Sequence, residues 1–231
     1  MKPSPRAVVL YARSPALGEV KTRLLPACTP AEALALHRAM TDDSIERLGL
    51  ACAGLASFFV AWSGHPAAAP LPSGAVVERQ ARGDLGARMA QTVRRRTDEG
   101  FGAVALVGSD TPHLPTARLR EAFAALDSAD AVAGPADDGG YYLLAVRAPH
   151  PALFAGIPWG TSAVLEATRE RARQAGLSLR ELAPWYDVDT PRDLERLRAD
   201  LADRRRAGDP DVPRRTWAAL AVIRPVPQAG G

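Results

Sequence analysis

The chain has 231 residues, of which 47% are hydrophobic and 24% are charged, and its formal net charge at pH 7 is +3. This length supports one substantial hydrophobic core, so a single domain is expected. The small charge and the absence of a dense basic tract predict no nucleic-acid partner. The two cysteines, Cys28 and Cys52, form no CxxC pair, and only four histidines accompany them. A disulfide framework and a zinc site are therefore not expected, and any metal should be held by carboxylates.

The N-terminal segment contains an apolar run of about six residues, which is shorter than the core of a signal peptide. No stretch of the sequence approaches the ~20 apolar residues that a membrane-spanning helix needs. A cytoplasmic protein without a membrane span is expected from these two observations.

Apolar segments rich in Val, Leu and Phe alternate with helical patterns, which is typical of an α/β fold with three layers and a mostly parallel central sheet. The predicted strands begin at Ala7, Leu55, Ala103, Asp130 and Tyr141. The predicted helices cover residues 29–48, 85–99, 116–126, 162–175 and 190–206. The first and last of these helices begin with a Thr-Pro pair, which provides an N-cap and a proline at the first helical position. The segment from Ser63 to Gly74 has the composition of a surface loop.

These elements predict one α/β domain over residues 1–206. Residues 207–231 form a tail rich in proline and arginine, and the sequence leaves open whether this tail is ordered. In α/β sheets of this kind ligands bind outside the carboxyl ends of the strands, so the loops at those ends are the places to look for chemistry.

The loop after the first strand carries Arg13, Lys21 and Arg23 around Gly18. Arginines bind phosphate oxygens through paired N–H groups, a lysine adds a point charge, and a glycine permits close approach of the backbone. The loop is therefore a candidate phosphate-binding site, although a solvated basic loop would have the same composition. It is not a P-loop, because Val20 stands where that motif requires glycine.

The next candidate is the segment Gly83–Met89, which opens a predicted helix. Asp84 and Arg88 could contact the nucleotide or a second substrate, but a helix-capping role for Asp84 is equally compatible with the sequence.

Asp110 lies two residues after the strand AVALVG, and such a carboxylate can bind Mg²⁺ or Mn²⁺ that bridges phosphate oxygens. Asp189 offers a second metal ligand at the start of the last helix, together with Asp187. The alternatives are a turn that Asp110 caps, and acids that stabilise a helix N-terminus without any ligand. Two carboxylates placed close together repel each other, so Asp110→Asn is expected to cost little stability or even to stabilise the protein.

Asp137 and Asp138 precede Gly139 and Gly140 between two apolar strands. A hairpin turn explains the glycines but not the paired acids, so Asp138 is a candidate for binding or deprotonating an acceptor.

Six motifs occur in one order and cover nearly the whole chain from Ala7 to Leu201: YARSPALGEVKTR, GDLGARM, GSDTPHLP, GPADDGGYY, WGTSAVL and DVDTPRDL. Together they resemble a bacterial family of GT-A-fold, nucleotide-diphospho-sugar transferase-like proteins that are usually described as glycosyltransferases. The wider superfamily includes molybdenum-cofactor and phospholactate guanylyltransferases. The resemblance implies that Arg13, Lys21 and Arg23 hold phosphates and that Asp110 and Asp189 bind the metal. The first loop has Arg13-Ser14-Pro15 where the guanylyltransferases have a Gly-Gly-x-Ser-x-Arg-Met form, so the nucleotide and the bond broken stay open.

The expected function is a transferase that depends on Mg²⁺ or Mn²⁺ and acts on a nucleotide-activated donor and a small-molecule acceptor, most simply a glycosyltransferase that uses a nucleoside-diphosphate sugar. Lys21, Asp138 and Asp187 are the candidate catalytic residues. A nucleotidyltransferase that joins an NTP to an anionic acceptor is the first alternative, and a non-catalytic nucleotide-binding module is the second. The base, the sugar, the acceptor and the oligomeric state are not predicted.

Overall fold

The structure is a computed structural model, and it describes residues 5–224. Its strands are β1 (Arg6–Arg13), β2 (Ser57–Ser63), β3 (Val76–Arg79), β4 (Ala103–Gly108), β5 (Ala131–Pro135), β6 (Tyr141–Val146) and β7 (Leu179–Glu181). Its α-helices are α1 (Pro30–Cys52), α2 (Leu85–Asp98), α3 (Ala117–Ala125), α4 (Val164–Gln174), α5 (Pro191–Arg206) and α6 (Arg214–Val222). Two short 3₁₀ helices cover Thr22–Leu24 and Pro151–Leu153.

The strands form one seven-stranded sheet in the order β3-β2-β1-β4-β6-β5-β7. Strand β6 runs antiparallel to β4 and β5, and the other pairings between these strands are parallel. The predicted α/β class with a mostly parallel sheet is confirmed.

Alternate residues of the central strands pack against different helices, which produces the three layers. Val8 and Leu10 of β1 belong to a core cluster with residues of α1 and α3, whereas Val9 belongs to a cluster with residues of α2 and α4. A strand buried on both faces needs apolar side chains in both directions, and this explains the unbroken run AVVL in the sequence.

Both predicted Thr-Pro helix starts are present as capping boxes. Thr29 and Glu32 exchange hydrogen bonds at the start of α1, and Thr190 and Asp193 do so at the start of α5. Helix α1 continues to Cys52, past its expected end near Leu48, and buries further residues against the sheet.

The packed structure continues past the predicted boundary at residue 206. Leu220 of α6 and the following Ile223 are buried in a third core cluster that also contains Leu36 of α1 and Leu197 of α5. Arg198 donates hydrogen bonds of 2.7 and 3.0 Å to the carbonyl oxygens of Leu220 and Ile223. Within residues 207–224 helix α6 is thus ordered and packs against α1 and α5, and residues 225–231 of the predicted tail lie outside the described part of the chain.

The sequence analysis missed β3 and β7, which are short edge strands of four and three residues with largely exposed side chains. Neither strand has the apolar run that marks a buried one. Among residues 5–224 no helix has the length and the apolar character needed to cross a membrane.

Candidate functional site

A cavity of about 330 Å³ opens at the carboxyl ends of β1 and β4. We call it the first cavity. Its wall contains four of the predicted basic residues and both predicted metal ligands: Arg13, Lys21, Arg23, Arg88, Asp110 and Asp189. Asp110 and Asp189 are brought together by the backbone, since the N–H of Val188 donates a 3.1 Å hydrogen bond to the carbonyl oxygen of Asp110. The chain segments that the sequence placed at one edge of the sheet therefore meet there.

The side chain of Lys21 lies between the two predicted metal ligands. Its Nζ donates hydrogen bonds to Asp110 Oδ1, to the Val188 carbonyl oxygen at 2.8 Å and to Asp189 Oδ1 at 2.9 Å. Burial alone would lower the pKa of this ammonium, but the charges of Asp110 and Asp189 outweigh burial and raise the pKa above its ordinary value. Burial likewise disfavours the charged form of Asp110, yet the Lys21 ammonium lowers the pKa of that carboxyl. Lys21 and Asp110 therefore each stabilise the charged form of the other.

The remaining residues of the basic loop have different surroundings. The side chain of Arg23 is 66% exposed and its Nη1 lies 3.8 Å from Asp189 Oδ2. Arg13 ends β1 at an exposed position, and its carbonyl oxygen lies 2.9 Å from His37 Nε2. Gly18 is not in the cavity wall; it adopts a left-handed φ of 75° in the exposed turn before Val20. Glycine is needed there by the turn, not by contact with a ligand.

Asp84 and Arg88 have separate roles at the start of α2. The carboxylate of Asp84 accepts a 2.8 Å hydrogen bond from the backbone N–H of Ala87, and Asp84 lies outside the wall of the first cavity. The structure therefore shows Asp84 in the capping role. Arg88 does line the cavity.

Gln80 is a cavity residue that the sequence analysis missed. Its amide nitrogen donates to the carbonyl oxygens of Ala12 and Ala61, and its amide oxygen accepts a 2.7 Å hydrogen bond from Arg88 Nη1. Gln80 therefore fixes the position of the Arg88 guanidinium. It directly follows β3, and because that edge strand was not predicted, nothing marked Gln80 as a residue at the carboxyl end of a strand.

A second cavity of about 510 Å³ adjoins the first and shares Arg23 and Asp189 with it. Asp138 and Asp187, the predicted acceptor-binding residues, line this second cavity and not the first. Burial and the neighbouring charges of Asp110, Asp138 and Asp189 raise the pKa of Asp187 to about 8. The structure thus separates the predicted site residues into two groups that meet at Arg23 and Asp189.

Two arginines of the second cavity were also missed. Arg192 and Arg196 lie one helical turn apart at the start of α5, directly after the DVDTP motif, and this spacing was a signal that the sequence offered. Arg196 donates a 2.6 Å hydrogen bond to Asp137 Oδ2, and its guanidinium carbon lies 3.7 Å from the ring centroid of Tyr186.

The hairpin that carries Asp138 is held in place by Gly139. This glycine has a φ of 89°, and a Cβ atom there would lie 2.1 Å from the carbonyl oxygen of Ser162. Its own carbonyl oxygen accepts a 2.9 Å hydrogen bond from Leu165 N. The predicted hairpin is present between β5 and β6, and close packing against the WGTSAVL segment explains why it needs glycine.

A buried aromatic group lies behind the second cavity. The ring of His113 is fully buried, packs 4.2 Å from the ring centroid of Tyr186, and has no hydrogen-bond partner at either nitrogen. Burial, followed by the positive charges of Arg204, Arg47 and Arg196, lowers the pKa of His113 well below its ordinary value. His113 is therefore neutral near pH 7.

The residues present are suited to a divalent ion only in part. Within residues 5–224 no three side chains of His, Cys, Asp or Glu are arranged as a metal site. Two carboxylates and one carbonyl oxygen do converge, since Asp110, Asp189 and Val188 all contact Lys21 Nζ. Their oxygens lie within ~6 Å of one another, because each is one hydrogen-bond length from the same nitrogen. Mg²⁺ is commonly held by one or two carboxylates plus substrate phosphates, so this donor set is compatible with such an ion.

Comparison with known proteins shows what the chain resembles. A profile of the family described as "Uncharacterized protein conserved in bacteria (DUF2064)" matches residues 38–161. The crystal structure of a "putative nucleotide-diphospho-sugar transferase" from Desulfovibrio desulfuricans G20 is 32% identical, with 94% of each chain covered and a TM-score of 0.79. No protein with a curated functional description matches the sequence.

Two more distant structures share the fold alone. CMP:2-keto-3-deoxy-manno-octonic acid synthetase complexed with CTP is 15% identical, with 87% of this chain and 100% of that chain covered and a TM-score of 0.52. Rv0371c from Mycobacterium tuberculosis H37Rv in complex with manganese is 18% identical, with 84% and 97% covered and a TM-score of 0.50.

Proposed function

The chain belongs to the bacterial DUF2064 family, and from that premise we propose that it is a transferase for a nucleotide-activated donor, best explained as a glycosyltransferase that uses a nucleoside-diphosphate sugar. One observation carries this proposal. A cavity rich in cations and a cavity rich in carboxylates meet at Arg23 and Asp189, which is the arrangement that a donor and an acceptor need to react with each other.

The first cavity is the proposed donor site. Arg13, Lys21, Arg23 and Arg88 surround it, and their charges suit the phosphate oxygens of a nucleoside diphosphate. Its volume of about 330 Å³ lies in the range of small-molecule sites. The cations stabilise the negative charge that grows on the diphosphate as the bond to the sugar breaks.

Asp110, Asp189 and the carbonyl oxygen of Val188 are the residues that would hold Mg²⁺ or Mn²⁺. A divalent ion bound there supplies further positive charge for the departing diphosphate. Manganese and CTP are bound by two proteins of the same fold, and these are the classes of ligand proposed for this chain.

The second cavity is the proposed acceptor site. A hydroxyl oxygen of the acceptor attacks the anomeric carbon of the donor sugar, the bond from that carbon to the diphosphate breaks, and Asp138 or Asp187 takes the hydroxyl proton. Both carboxylates line this cavity together with Asp189, where the two cavities join.

Nucleotidyl transfer is the second candidate. The four cations of the first cavity suit a triphosphate as well as a diphosphate, and a synthetase that binds CTP shares the fold. In this reaction an anionic acceptor attacks the α-phosphate of an NTP, and pyrophosphate leaves.

The test has two steps. Nucleotides and nucleotide sugars are first screened by thermal shift with and without Mg²⁺, because ligands that bind the native state raise its stability. The ligands that bind are then incubated with the enzyme and a panel of acceptors, and the products are followed by ³¹P NMR. Release of a nucleoside diphosphate from a nucleotide sugar supports the proposal. Release of pyrophosphate from an NTP supports the second candidate, and binding without turnover of either donor class contradicts both.

A further inference from the structure

The ammonium of Lys21 is buried against oxygen atoms of the protein, which is unusual for a lysine that is expected to bind phosphate. Its side chain is only 4% exposed, and its Nζ donates to three oxygens, those of Asp110, Val188 and Asp189. An ammonium has three N–H donors and no acceptor, so all three hydrogens are used inside this cluster. In this arrangement none is directed to a phosphate in the first cavity.

The three oxygens that surround the Lys21 ammonium are the same ones that would hold a divalent ion. Carboxylate and carbonyl oxygens are the preferred ligands of Mg²⁺, and they must approach the ion to about 2.0–2.1 Å. The Nζ atom lies at the point where the three oxygens converge, 2.8 Å from Val188 O and 2.9 Å from Asp189 Oδ1. The ammonium and the ion therefore exclude each other.

The backbone of Lys21 indicates that this arrangement is held under strain. Lys21 has φ 50° and ψ 36°, and among residues 5–224 no other residue except glycine has a positive φ. The left-handed conformation is unfavourable for an L-residue other than glycine. The three contacts of the ammonium hold the side chain in place on this strained backbone.

We propose that Lys21 is an internal counter-ion that takes the place of the divalent ion in the ligand-free enzyme and moves to the donor phosphates when the nucleotide binds. The proposal rests on the proposed function in taking Asp110 and Asp189 as the metal ligands. The first cavity, where the diphosphate would lie, also contains Lys21, so a short displacement brings the ammonium to the phosphates. Nucleotide and metal then bind cooperatively, because each is favoured by the same movement of Lys21.

Binding of Mn²⁺ without nucleotide tests the first half of the proposal. Lys21→Met keeps most of the side-chain volume and removes the ammonium, so we expect this variant to bind Mn²⁺ at least about tenfold more tightly than wild type, as measured by electron paramagnetic resonance of free Mn²⁺. Arg23→Ala is the matched control. The Arg23 side chain is 66% exposed and lies 3.8 Å from Asp189, so this substitution removes a positive charge near Asp189 without vacating the metal position. Its effect should be clearly smaller. Adding Asp110→Asn to Lys21→Met should abolish the gain.

A measurement on wild type covers the case in which Lys21→Met does not fold. Lys2 and Lys21 are the only lysines of the chain, so selective ¹³C labelling of lysine gives two sets of side-chain signals. Comparison with Lys21→Arg, in which one set disappears, assigns them. We expect Mg²⁺ alone, at a concentration too low to fill the site without a nucleotide, to leave the Lys21 Cε signal unchanged, and the same concentration with a diphosphate probe to shift it. UDP, GDP and CDP are the probes.

The outcomes separate this inference from the proposed function. Equal Mn²⁺ affinity in wild type and Lys21→Met, or a Lys21 signal that stays unchanged while Mg²⁺ and a diphosphate bind, overturns the counter-ion role and leaves the metal assignment standing. If neither protein binds Mn²⁺ with or without a diphosphate, the metal ligands are wrong and the inference falls with them. Tighter binding in Lys21→Met together with a Lys21 shift that requires a diphosphate supports it.

Discussion

Lys21 Nζ donates a 2.9 Å hydrogen bond to Asp189 Oδ1, although 168 positions separate the two residues in the chain. The bond joins the loop after the first strand to the start of α5. It also places a positive charge beside two carboxylates that the sequence alone presented as a repelling pair. In this structure the two carboxylates are therefore neutralised in part by the Lys21 ammonium, whereas the sequence predicted that they repel each other.

The structure changes the expected effect of Asp110→Asn on the stability of the protein. The sequence predicted that it would be neutral or stabilising, but Asp110 pairs with the buried Lys21 ammonium, so that argument is wrong. We expect the variant to lose turnover and to unfold with a free energy about 1 kcal/mol lower than wild type in urea, a value discounted because the Asp110 side chain is 46% exposed. Asp98→Asn is the control, since Asp98 pairs with Arg94 at 3.9 Å on the surface and should change stability little. Normal turnover of Asp110→Asn would remove Asp110 from the metal site.

Arg88→Ala should weaken donor binding. Arg88 lines the first cavity, and Gln80 and the Asp84 carbonyl oxygen hold its guanidinium in place. A hydrogen bond to a charged group contributes roughly 1.5–3 kcal/mol, so we expect the KM for the donor to rise about 10- to 100-fold in steady-state assays. Arg94→Ala removes the same charge from the exposed side of the same helix, where the Arg94 side chain is 78% exposed, and should leave KM unchanged. Equal effects of the two substitutions would show that net charge, not contact, is responsible.

Asp187→Asn should separate donor binding from transfer. Asp187 lines the second cavity and not the first, so calorimetric titration should give an unchanged donor affinity. If its carboxylate takes the acceptor proton, kcat for transfer measured at pH 9, where a group with a pKa of about 8 is mostly ionised, should fall about 100-fold. Asp127→Asn, at an exposed turn after α3, controls for the loss of one negative charge. A normal kcat for Asp187→Asn would assign the proton to Asp138, and this would be checked with Asp138→Asn.

His113 should make the protein less stable in acid. Its pKa is lowered by burial and by Arg204, Arg47 and Arg196, so the folded protein binds fewer protons at this residue than the unfolded chain does. Stability is then lost as the pH falls below the unfolded value of about 6.5. Between pH 7.5 and pH 5.5 wild type should lose about 1 kcal/mol more unfolding free energy than His113→Phe.

The measurement is urea unfolding of both proteins at the two pH values. His65→Gln replaces an exposed histidine and should follow the wild-type pH dependence. His37 is present in all three proteins, so its titration cancels in the comparison. Identical pH dependence of His113→Phe and wild type would show that His113 gains a proton in the folded state without cost.

The central strands and the loops that follow them could be predicted because an apolar run marks each strand and polar or charged residues mark the loop after it. A strand such as β4 is a continuous apolar run, and Asp110 lies two residues after its end, so the position of Asp110 at the sheet edge follows from the fold class. The capping boxes at Thr29 and Thr190 are equally local. Features of this kind need only neighbouring residues to be recognised.

The rest depends on contacts between distant segments. The position of Lys21 between Asp110 and Asp189 requires Val188 to lie beside Asp110, and no local pattern encodes that pairing. The division of the acids between two cavities has the same origin. Helix α6 was missed because its arginine-rich surroundings have the composition of a tail, whereas its burial comes from Leu220 meeting α1 and α5.

The most direct test of the account is a crystal structure of the protein with Mn²⁺ and the tightest-binding nucleotide sugar of the thermal-shift screen, with the anomalous signal of manganese recorded. We expect one manganese peak bound to Asp110 and Asp189 at about 2.0–2.6 Å, a diphosphate on Arg13 and Arg23 in the first cavity, and a sugar directed toward Asp187. A nucleotide bound away from the first cavity, or manganese that contacts neither carboxylate, would contradict it.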